Sequence, residues 1–320
     1  MKKTTSFVAV YPLVLGMTLL ETGAALGQPG VGPDITWVEK YVTYAQDSNG
    51  DLRLTDVHFL SEVVFDVFDD MKDVTARLYA GDLLVATYDP SSDKSAFTNG
   101  FFYTRKTRSF DSLADLDGTW PPDTRFRWEI QYPDRVEVLQ EIRIGGPEER
   151  TQVPRPSPIT LAQGTAAIEP GEAIDSARPL TMSWLPFEEG APLGDSPWSD
   201  FIFVLISDCH GEVVFTGGAP DTDTYVTFED TSVEVPAGTL APGRDYTFFI
   251  SVVNTVDYNV QGDIEQLAAN SYATELQGST AGPRDVDSCP EPYRPAVYEW
   301  TRKTQPPGEM ESWPTLKDAW

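Results

Sequence analysis

Short runs rich in Val, Ile, Phe, Tyr and Thr recur along the chain, separated by clusters of Gly, Pro, Asp and Asn. Such runs predict β-strands joined by turns, whereas the spacing of three to four residues that marks an amphipathic helix is scarce. The predicted strands cover residues 35–45, 52–66, 74–89, 125–132, 136–144, 180–184, 201–207, 212–216, 224–228 and 245–253. The most helix-like run, residues 54–71, is assigned to a strand because β-branched and aromatic residues dominate it. The chain is therefore predicted to be all-β.

A change in composition between residues 145 and 164 divides the strand pattern in two. Residues 147–155 and the prolines that follow them have the composition of an extended, semi-rigid linker. We therefore place a first β-sandwich domain at 34–146, a second at 156–279 and a tail at 280–320.

An internal repeat supports this division into two similar domains. The sequence GTWPPDTRFRWEI at 118–130 matches GTLAPGRDYTFFI at 238–250, with large apolar and aromatic residues at corresponding positions. A shorter match relates residues 81–85 to residues 211–215. Each match joins a turn to a strand, and the two follow in the same order, so two copies of one sandwich are the economical explanation.

The second predicted domain resembles a fibronectin type III domain. The residues that carry this resemblance are Leu240, Pro242, Tyr246 and Ile250. They are similar to the turn and strand F of the family, in which the tyrosine hydroxyl bonds to backbone upstream. The remaining strands correspond as B at 180–184, C at 201–207, C′ at 212–216 and G at 271–276. The first domain has Phe126 at the tyrosine position, so it resembles a more divergent, related sandwich.

This resemblance implies two tandem immunoglobulin-like or fibronectin type III-like β-sandwich domains. It also implies no catalysis, because members of the family serve mostly as spacers, adhesion modules or partners of other domains.

The predicted strand C contains six consecutive apolar residues at 201–206. A strand with one face in water should alternate apolar and polar residues, so both faces of this strand should be covered. Loops or the C-terminal tail are one expected cover, and an interface between domains or subunits is the other.

Residues 1–27 have the features of a secretory signal peptide. Lys2 and Lys3 precede a mostly apolar stretch at 7–20. Small residues lie at 25 and 27, the two positions that a signal peptidase recognises before its cleavage site. The apolar stretch is shorter than the about 20 residues that span a bilayer. We therefore expect cleavage after Gly27 and a secreted or periplasmic protein with no transmembrane segment, of bacterial rather than eukaryotic origin.

The composition excludes several classes of function. Fifty acidic residues against 23 basic ones give a net charge of -27, which argues against nucleic-acid binding and against docking on anionic membranes. With two histidines and two cysteines, the chain cannot build a His-rich metal site, a four-cysteine zinc site or an iron–sulfur cluster. The acidic charge itself indicates solubility rather than a particular fold.

The two cysteines are predicted to form a disulfide. Cys209 lies in the turn after the predicted strand C, and Cys289 lies beyond the last predicted strand. In an exported protein such a pair usually bonds, and closing a loop of roughly 80 residues would contribute about 4 kcal/mol. The bond would clip the aromatic tail to the second domain. Two free thiols, one of them reactive, are the alternative.

Asp47, Asn49 and Asp51 have the spacing of the first three ligands in an EF-hand calcium loop. The match then ends, because Leu52 stands where the loop needs Gly and His58 stands where it needs a bidentate acid. The Asn-Gly pair at 49 and 50 also signals a β-hairpin. We favour a plain turn, with calcium binding as the alternative.

Catalytic residues are not predicted. Neither His58 nor His210 lies near a nucleophile motif, so a catalytic triad is not expected. Trp198, Trp300 and Trp313 fall at predicted turns or in the tail, where they are candidates to stack on sugars or anchor an interface. Trp120, by contrast, is expected to fill the core position that corresponds to Leu240.

These patterns predict a secreted, non-enzymatic protein with a structural, adhesion or interaction role and an unidentified protein or glycan partner. No cofactor is expected. The alternative is a carbohydrate-binding accessory protein whose acidic loops are ordered by calcium, and an uncharacterised hydrolase ranks last.

Overall fold

A computed structural model describes residues 33–65, 73–89, 95–96, 102–145, 153–169, 171–192, 199–210, 212–217 and 226–283. In the first half of the chain the elements are β1 Ile35–Gln46, β2 Leu52–Phe65, β3 Thr75–Ala80, β4 Leu83–Tyr88, β5 Ser95–Ala96, β6 Phe102–Ser109, α1 Leu113–Thr119, β7 Arg125–Gln131, β8 Val136–Val138 and β9 Ile142–Arg143. In the second half they are β10 Thr160–Gln163, β11 Ala166–Ala167, β12 Leu180–Ser183, β13 Phe201–Asp208, β14 Val213–Gly217, β15 Ser232–Val235, β16 Asp245–Gln261 and β17 Ile264–Ser279. None of the helices in these ranges is long and apolar enough to cross a bilayer.

The strands form three sheets. One sheet has eight strands in the order β14-β13-β16-β17-β1-β2-β6-β5. A second has the order β4-β3-β7-β8, with β9 also paired to β7, and a third has the order β11-β10-β12-β15. The prediction of an all-β chain with tandem β-sandwich domains is therefore confirmed.

Both smaller sheets pack on the same face of the eight-stranded sheet. Val42 of β1 and Tyr272 of β17 are register partners, so their side chains point the same way. Val42 belongs to the core cluster that includes the β4-β3-β7 strands, and Tyr272 belongs to the cluster that includes β10 and β12. Two separate cores thus share one large sheet.

The repeat in the sequence corresponds to a repeat in the fold. The order β4-β3-β7-β8 in the first half matches the order β14-β13-β16-β17 in the second half. Trp120 and Leu240 are both buried, one in each core, which confirms the core position expected for Trp120. Phe126 and Tyr246 likewise occupy equivalent core positions.

In the second sandwich, the contact of Tyr246 matches the feature predicted from the family resemblance, and a second contact fixes Trp184. The backbone N–H of Ala241 donates to the hydroxyl oxygen of Tyr246 at 2.7 Å, which is the expected bond between the corner tyrosine and upstream backbone. The indole N–H of Trp184, at the end of β12, donates to the Asp230 carbonyl at 3.0 Å. The buried polar groups of Tyr246 and Trp184 thereby have hydrogen-bond partners, which fix the orientation of the two side chains.

The two sandwiches are joined edge to edge through β1 and β17. These strands pair in parallel over twelve residue pairs, from Ile35–Glu265 to Gln46–Leu276. The strands of the first sandwich therefore continue the sheet of the second without a break. The described end of the predicted linker is also packed, since Val153 contacts both cores and Pro154 is buried.

The far end of the β16–β17 hairpin clamps the first sandwich. The Gln261 side chain accepts a hydrogen bond from Gln140 N at 2.9 Å and donates to Val138 O at 3.1 Å. The Asp257 carboxylate accepts from Arg143 N at 2.8 Å. These bonds fix the hairpin of one sandwich to the backbone of β8, of β9 and of the loop between them in the other.

The structure differs from the predicted elements at several places. The strand predicted at 224–228 is wrong in its described part, because Thr227 forms only an isolated bridge to Phe201. The Asp230 carboxylate accepts from both N and Oγ1 of Thr227 at 2.8 Å, which turns the chain there, and β15 pairs with β12 instead. The short helix α1 and the strands β5, β6, β10, β11 and β15 were not predicted, and the predicted run 74–89 is two strands, β3 and β4. Finally, β16 and β17 run well beyond the predicted ranges 245–253 and 271–276.

Candidate functional site

The face of the eight-stranded sheet that points away from both cores is the candidate site, and we call it the second face. In β1 it carries Trp37, Glu39 and Tyr41, which alternate with the core residues Val38 and Val42. Much of this face is buried, although it points away from both cores. Its buried members, exposed by 7% or less, include His58, Leu60, Glu62, Phe201, Phe249, Val253, Ala269, Ser271 and Glu275.

The aromatic part of the second face is formed by side chains from β1, β13 and β16. Trp37 and Phe201 contact edge to face, with ring centroids 6.4 Å apart, and Phe203 contacts Phe249 in the same way at 6.4 Å. Ile202, Val204 and Ile206 point into the core of the second sandwich instead. The prediction that strand 201–206 is covered on both faces is therefore confirmed at Phe201, which is 6% exposed.

The polar part of the second face is a network of ionisable side chains on β1, β2, β6 and β17. The Ser271 hydroxyl donates to one carboxylate oxygen of Glu39, and the Trp37 indole N–H donates to the other at 3.2 Å. On the neighbouring strands, Arg105 donates to Glu62 through two nitrogens, each 2.7 Å from the same carboxylate oxygen. The network therefore combines buried acids with one buried guanidinium.

Two of these acids have pKa values far above their ordinary range. Burial raises the pKa of Glu39 from 4.5 to about 7, since the charged carboxylate loses water, and nearby Glu62 raises it further. The Ser271 hydroxyl and the Arg105 guanidinium act in the opposite direction. Burial likewise raises the pKa of Glu275 to about 7, with Asp56 adding to the effect. The second face therefore holds two carboxyl groups that titrate near neutral pH.

Tyr41 and His58 connect these acids across β1 and β2. Their rings stack with centroids 4.7 Å apart and an interplanar angle of 24°. Burial raises the pKa of Tyr41 well above 10, and the charges of Glu39 and Glu275 raise it further. His58 lies 3.5 Å from Asp56, measured from Nδ1 to the carboxylate. Buried carboxyl groups with raised pKa values can hold protons near neutral pH, and that is the chemistry available to this face.

Asp47, Asn49 and Asp51 lie in the exposed turn between β1 and β2, as predicted. One carboxylate oxygen of Asp47 accepts from the backbone N–H of Asn49 at 2.7 Å and of Asp51 at 3.1 Å. Gly50 has φ +83°, which suits the hairpin turn that the Asn-Gly pair predicted. Within the described ranges, no cluster of three or more His, Cys, Asp or Glu could hold a metal ion. Calcium binding stays a prediction, and the turn contacts of Asp47 do not favour it.

Cys209 lies in the turn that follows β13, where the sequence placed it. The Asp208 carboxylate organises this turn, since it accepts from the backbone N–H of His210 and of Glu212, each at 2.9 Å. Cys289 lies outside the described residues, so the disulfide stays a prediction. Trp198, Trp300 and Trp313 also lie outside the described residues, and their binding role stays a prediction.

Sequence reasoning did not identify the acids of the second face. Glu39, Glu62 and Glu275 each stand alone within strand-forming runs, and simple alternation places such residues toward water. The only signal was that large apolar residues, such as Leu60 and Phe201, recur at the same alternate strand positions as these acids. Recognising a shared face required knowing which strands are neighbours.

No family model matches this chain, and no curated protein matches it. Among solved structures, it is similar to the chicken CNTN1 FN1-FN3 domains, with 12% identity, 78% of this chain and 68% of that chain covered, and a TM-score of 0.22. It is also similar to DIP-gamma IG1+IG2, with 9% identity, 77% and 96% covered, and a TM-score of 0.18. A titin fragment is similar at 9% identity, with 74% and 95% covered and a TM-score of 0.18. These TM-scores are too low to support any further conclusion, so the β-sandwich assignment rests on the sheets and the tyrosine contact.

Proposed function

We propose that this chain is an exported, non-enzymatic structural or adhesion protein whose two sandwiches, the second of the fibronectin type III kind, act as one stiff unit. The observation that carries the proposal is the continuous eight-stranded sheet. A flexible linker lets two domains move independently, whereas a shared sheet with a clamped hairpin resists bending and separation. Stiffness of this kind suits a spacer or an adhesive stalk.

The direction of the junction strands supports a mechanical role. Because β1 and β17 are parallel and hydrogen-bonded over twelve residue pairs, separating the sandwiches requires many backbone bonds to break together. The clamps from Asp257 and Gln261 lie at the end of this junction and add side-chain bonds to it.

Single-molecule force spectroscopy tests this proposal. The chain is placed between marker domains and pulled under reducing conditions. The fold spans residues 33–283, and these roughly 250 residues, at about 3.4 Å each, predict one event that releases about 850 Å of chain. Two events that each release about half of this length would contradict the single stiff unit.

A matched pair of variants makes the force experiment specific. Asp257→Ala removes the carboxylate that holds Arg143 N, so we expect a lower unfolding force. Asp263→Ala removes an exposed carboxylate in the neighbouring turn and should leave the force unchanged. Equal forces for the two variants would show that the clamp does not resist separation.

The partner and the location belong to the same proposal. We infer that the signal peptide is cleaved after Gly27. N-terminal sequencing of the exported protein should therefore begin at Gln28. A glycan array with and without calcium tests the partner. Selective binding of a defined glycan would replace the structural role with the carbohydrate-binding one.

A further inference from the structure

We propose that Glu39 and Glu275 make the junction between the two sandwiches pH-sensitive, so that it stays closed when both carboxyl groups hold a proton and opens more readily when both ionise. Glu39 lies on β1 and Glu275 lies on β17, the two strands that pair in parallel to join the sandwiches. The proposal goes beyond the structural role proposed above and does not depend on it.

Both acids lie on the junction itself. Glu39 is the register partner of Ala269, and Glu275 is the register partner of Ala45, so the two acids are about 20 Å apart along the strands. The Ser271 hydroxyl of β17 donates across the junction to the Glu39 carboxyl. Glu39 is 7% exposed and Glu275 is 4% exposed. Because each buried side chain lies beside the partner strand, opening of the junction exposes both acids to water.

The groups that face Glu39 do not neutralise its charge. Arg105 of β6 faces it, but two nitrogens of this guanidinium already donate to Glu62 of β2. Tyr41 of β1 faces both acids and stays protonated, because burial raises its pKa well above 10. Burial raises the pKa of Glu39 to about 7, and the opposing effects of Ser271 and Arg105 are smaller. Glu39 is therefore mostly protonated at pH 6 and mostly ionised at pH 8.

The groups that face Glu275 do not neutralise its charge either. Its register partner on β16 is Phe249, and no side chain in the described ranges makes a hydrogen bond to its buried Oε1. On β2, Asp56 adds a negative charge beside it, with His58 3.5 Å from Asp56. Arg53 of β2 is exposed, so water and salt screen its charge. Burial and then Asp56 raise the pKa of Glu275 to about 7.

The sign and the size of the effect follow from these pKa values. Opening returns both carboxyl groups to water, where their ordinary pKa is 4.5. The closed junction holds the two protons more tightly than the open one, so it is favoured at low pH and loses stability as the pH rises toward about 7. Between pH 6 and pH 8, each acid shifts the opening equilibrium by about tenfold, and both together shift it by about a hundredfold.

Hydrogen exchange of the full chain, followed by mass spectrometry at pH 6 and pH 8, tests this proposal. Labelling times are scaled for the intrinsic pH dependence of amide exchange. Peptides from β1 and β17 should lose protection by about ten- to a hundredfold more than peptides from β3 and β4, which lie outside the junction. An equal loss in all four strands, or no loss in β1 and β17, would overturn the proposal.

A double variant identifies the groups responsible. Glu39→Gln combined with Glu275→Gln removes both protons, so protection of β1 and β17 should stay within about twofold between the two pH values. Glu234→Gln, on the exposed edge strand β15, is the matched control and should keep the natural response. Far-UV circular dichroism checks folding. If the double variant does not fold, each single variant should still remove one factor of about tenfold. A response that survives removal of these carboxyl groups would overturn the proposal, whatever the force experiment shows.

Discussion

Replacement of Glu39 by Gln should change how the stability of the protein depends on pH. The pKa of Glu39 is about 7 in the folded protein, against an ordinary value of 4.5, because the carboxyl is buried. The folded state therefore holds this proton more tightly than the unfolded state does. The stabilisation is complete below about pH 4.5 and is lost as the pH rises toward about 7.

The size of the effect follows from the two pKa values. The interval between 4.5 and about 7 corresponds to about 3 kcal/mol of unfolding free energy. The Gln side chain has no proton to lose, and its carbonyl oxygen can still accept the hydrogen bond from Ser271. Relative to the natural chain, Glu39→Gln should therefore become more stable by about 3 kcal/mol between about pH 4.5 and about pH 8.

Urea unfolding followed by far-UV circular dichroism at several pH values measures this difference. Glu234→Gln is the matched control, since Glu234 is exposed on the edge strand β15. The control removes the same charge from a highly acidic protein, so it accounts for general charge repulsion. A gap between Glu39→Gln and the natural chain that stays constant with pH would refute the reasoning.

Three further substitutions test the fold. Tyr246→Phe removes the acceptor of a buried backbone N–H at 2.7 Å, so urea unfolding should show a loss of about 1–2 kcal/mol; no loss would contradict the tyrosine corner. Gly145→Ala places a Cβ 2.3 Å from the Pro122 carbonyl oxygen and should cost about 1–3 kcal/mol, whereas Gly118→Ala has open space and should not lower the melting temperature. Gln261→Ala removes the two clamp bonds of this side chain, and calorimetry should show a loss of about 1 kcal/mol; an unchanged melting temperature would mean that Gln261 does not contribute to the clamp.

Local pattern was enough to predict most of the strands. Strands such as β1 and β13 are strongly apolar and bounded by turn residues, so their position is encoded by their own residues. The second half of β16 was missed, because NTVDYNVQ at 254–261 has no strong strand pattern. It is a strand because β17 pairs with it and the first sandwich holds its end.

The amino-acid sequence by itself determined the all-β class, the two related sandwiches, the buried Trp120 and the tyrosine contact of Tyr246. Each depends on residues close together in the chain or on the match between two short segments. The tertiary structure alone decided that one sheet joins both sandwiches, and that Glu39 and Glu275 share a buried face. The physical reason is that β1 and β17 pair across more than 200 residues of chain, so no local pattern encodes their register.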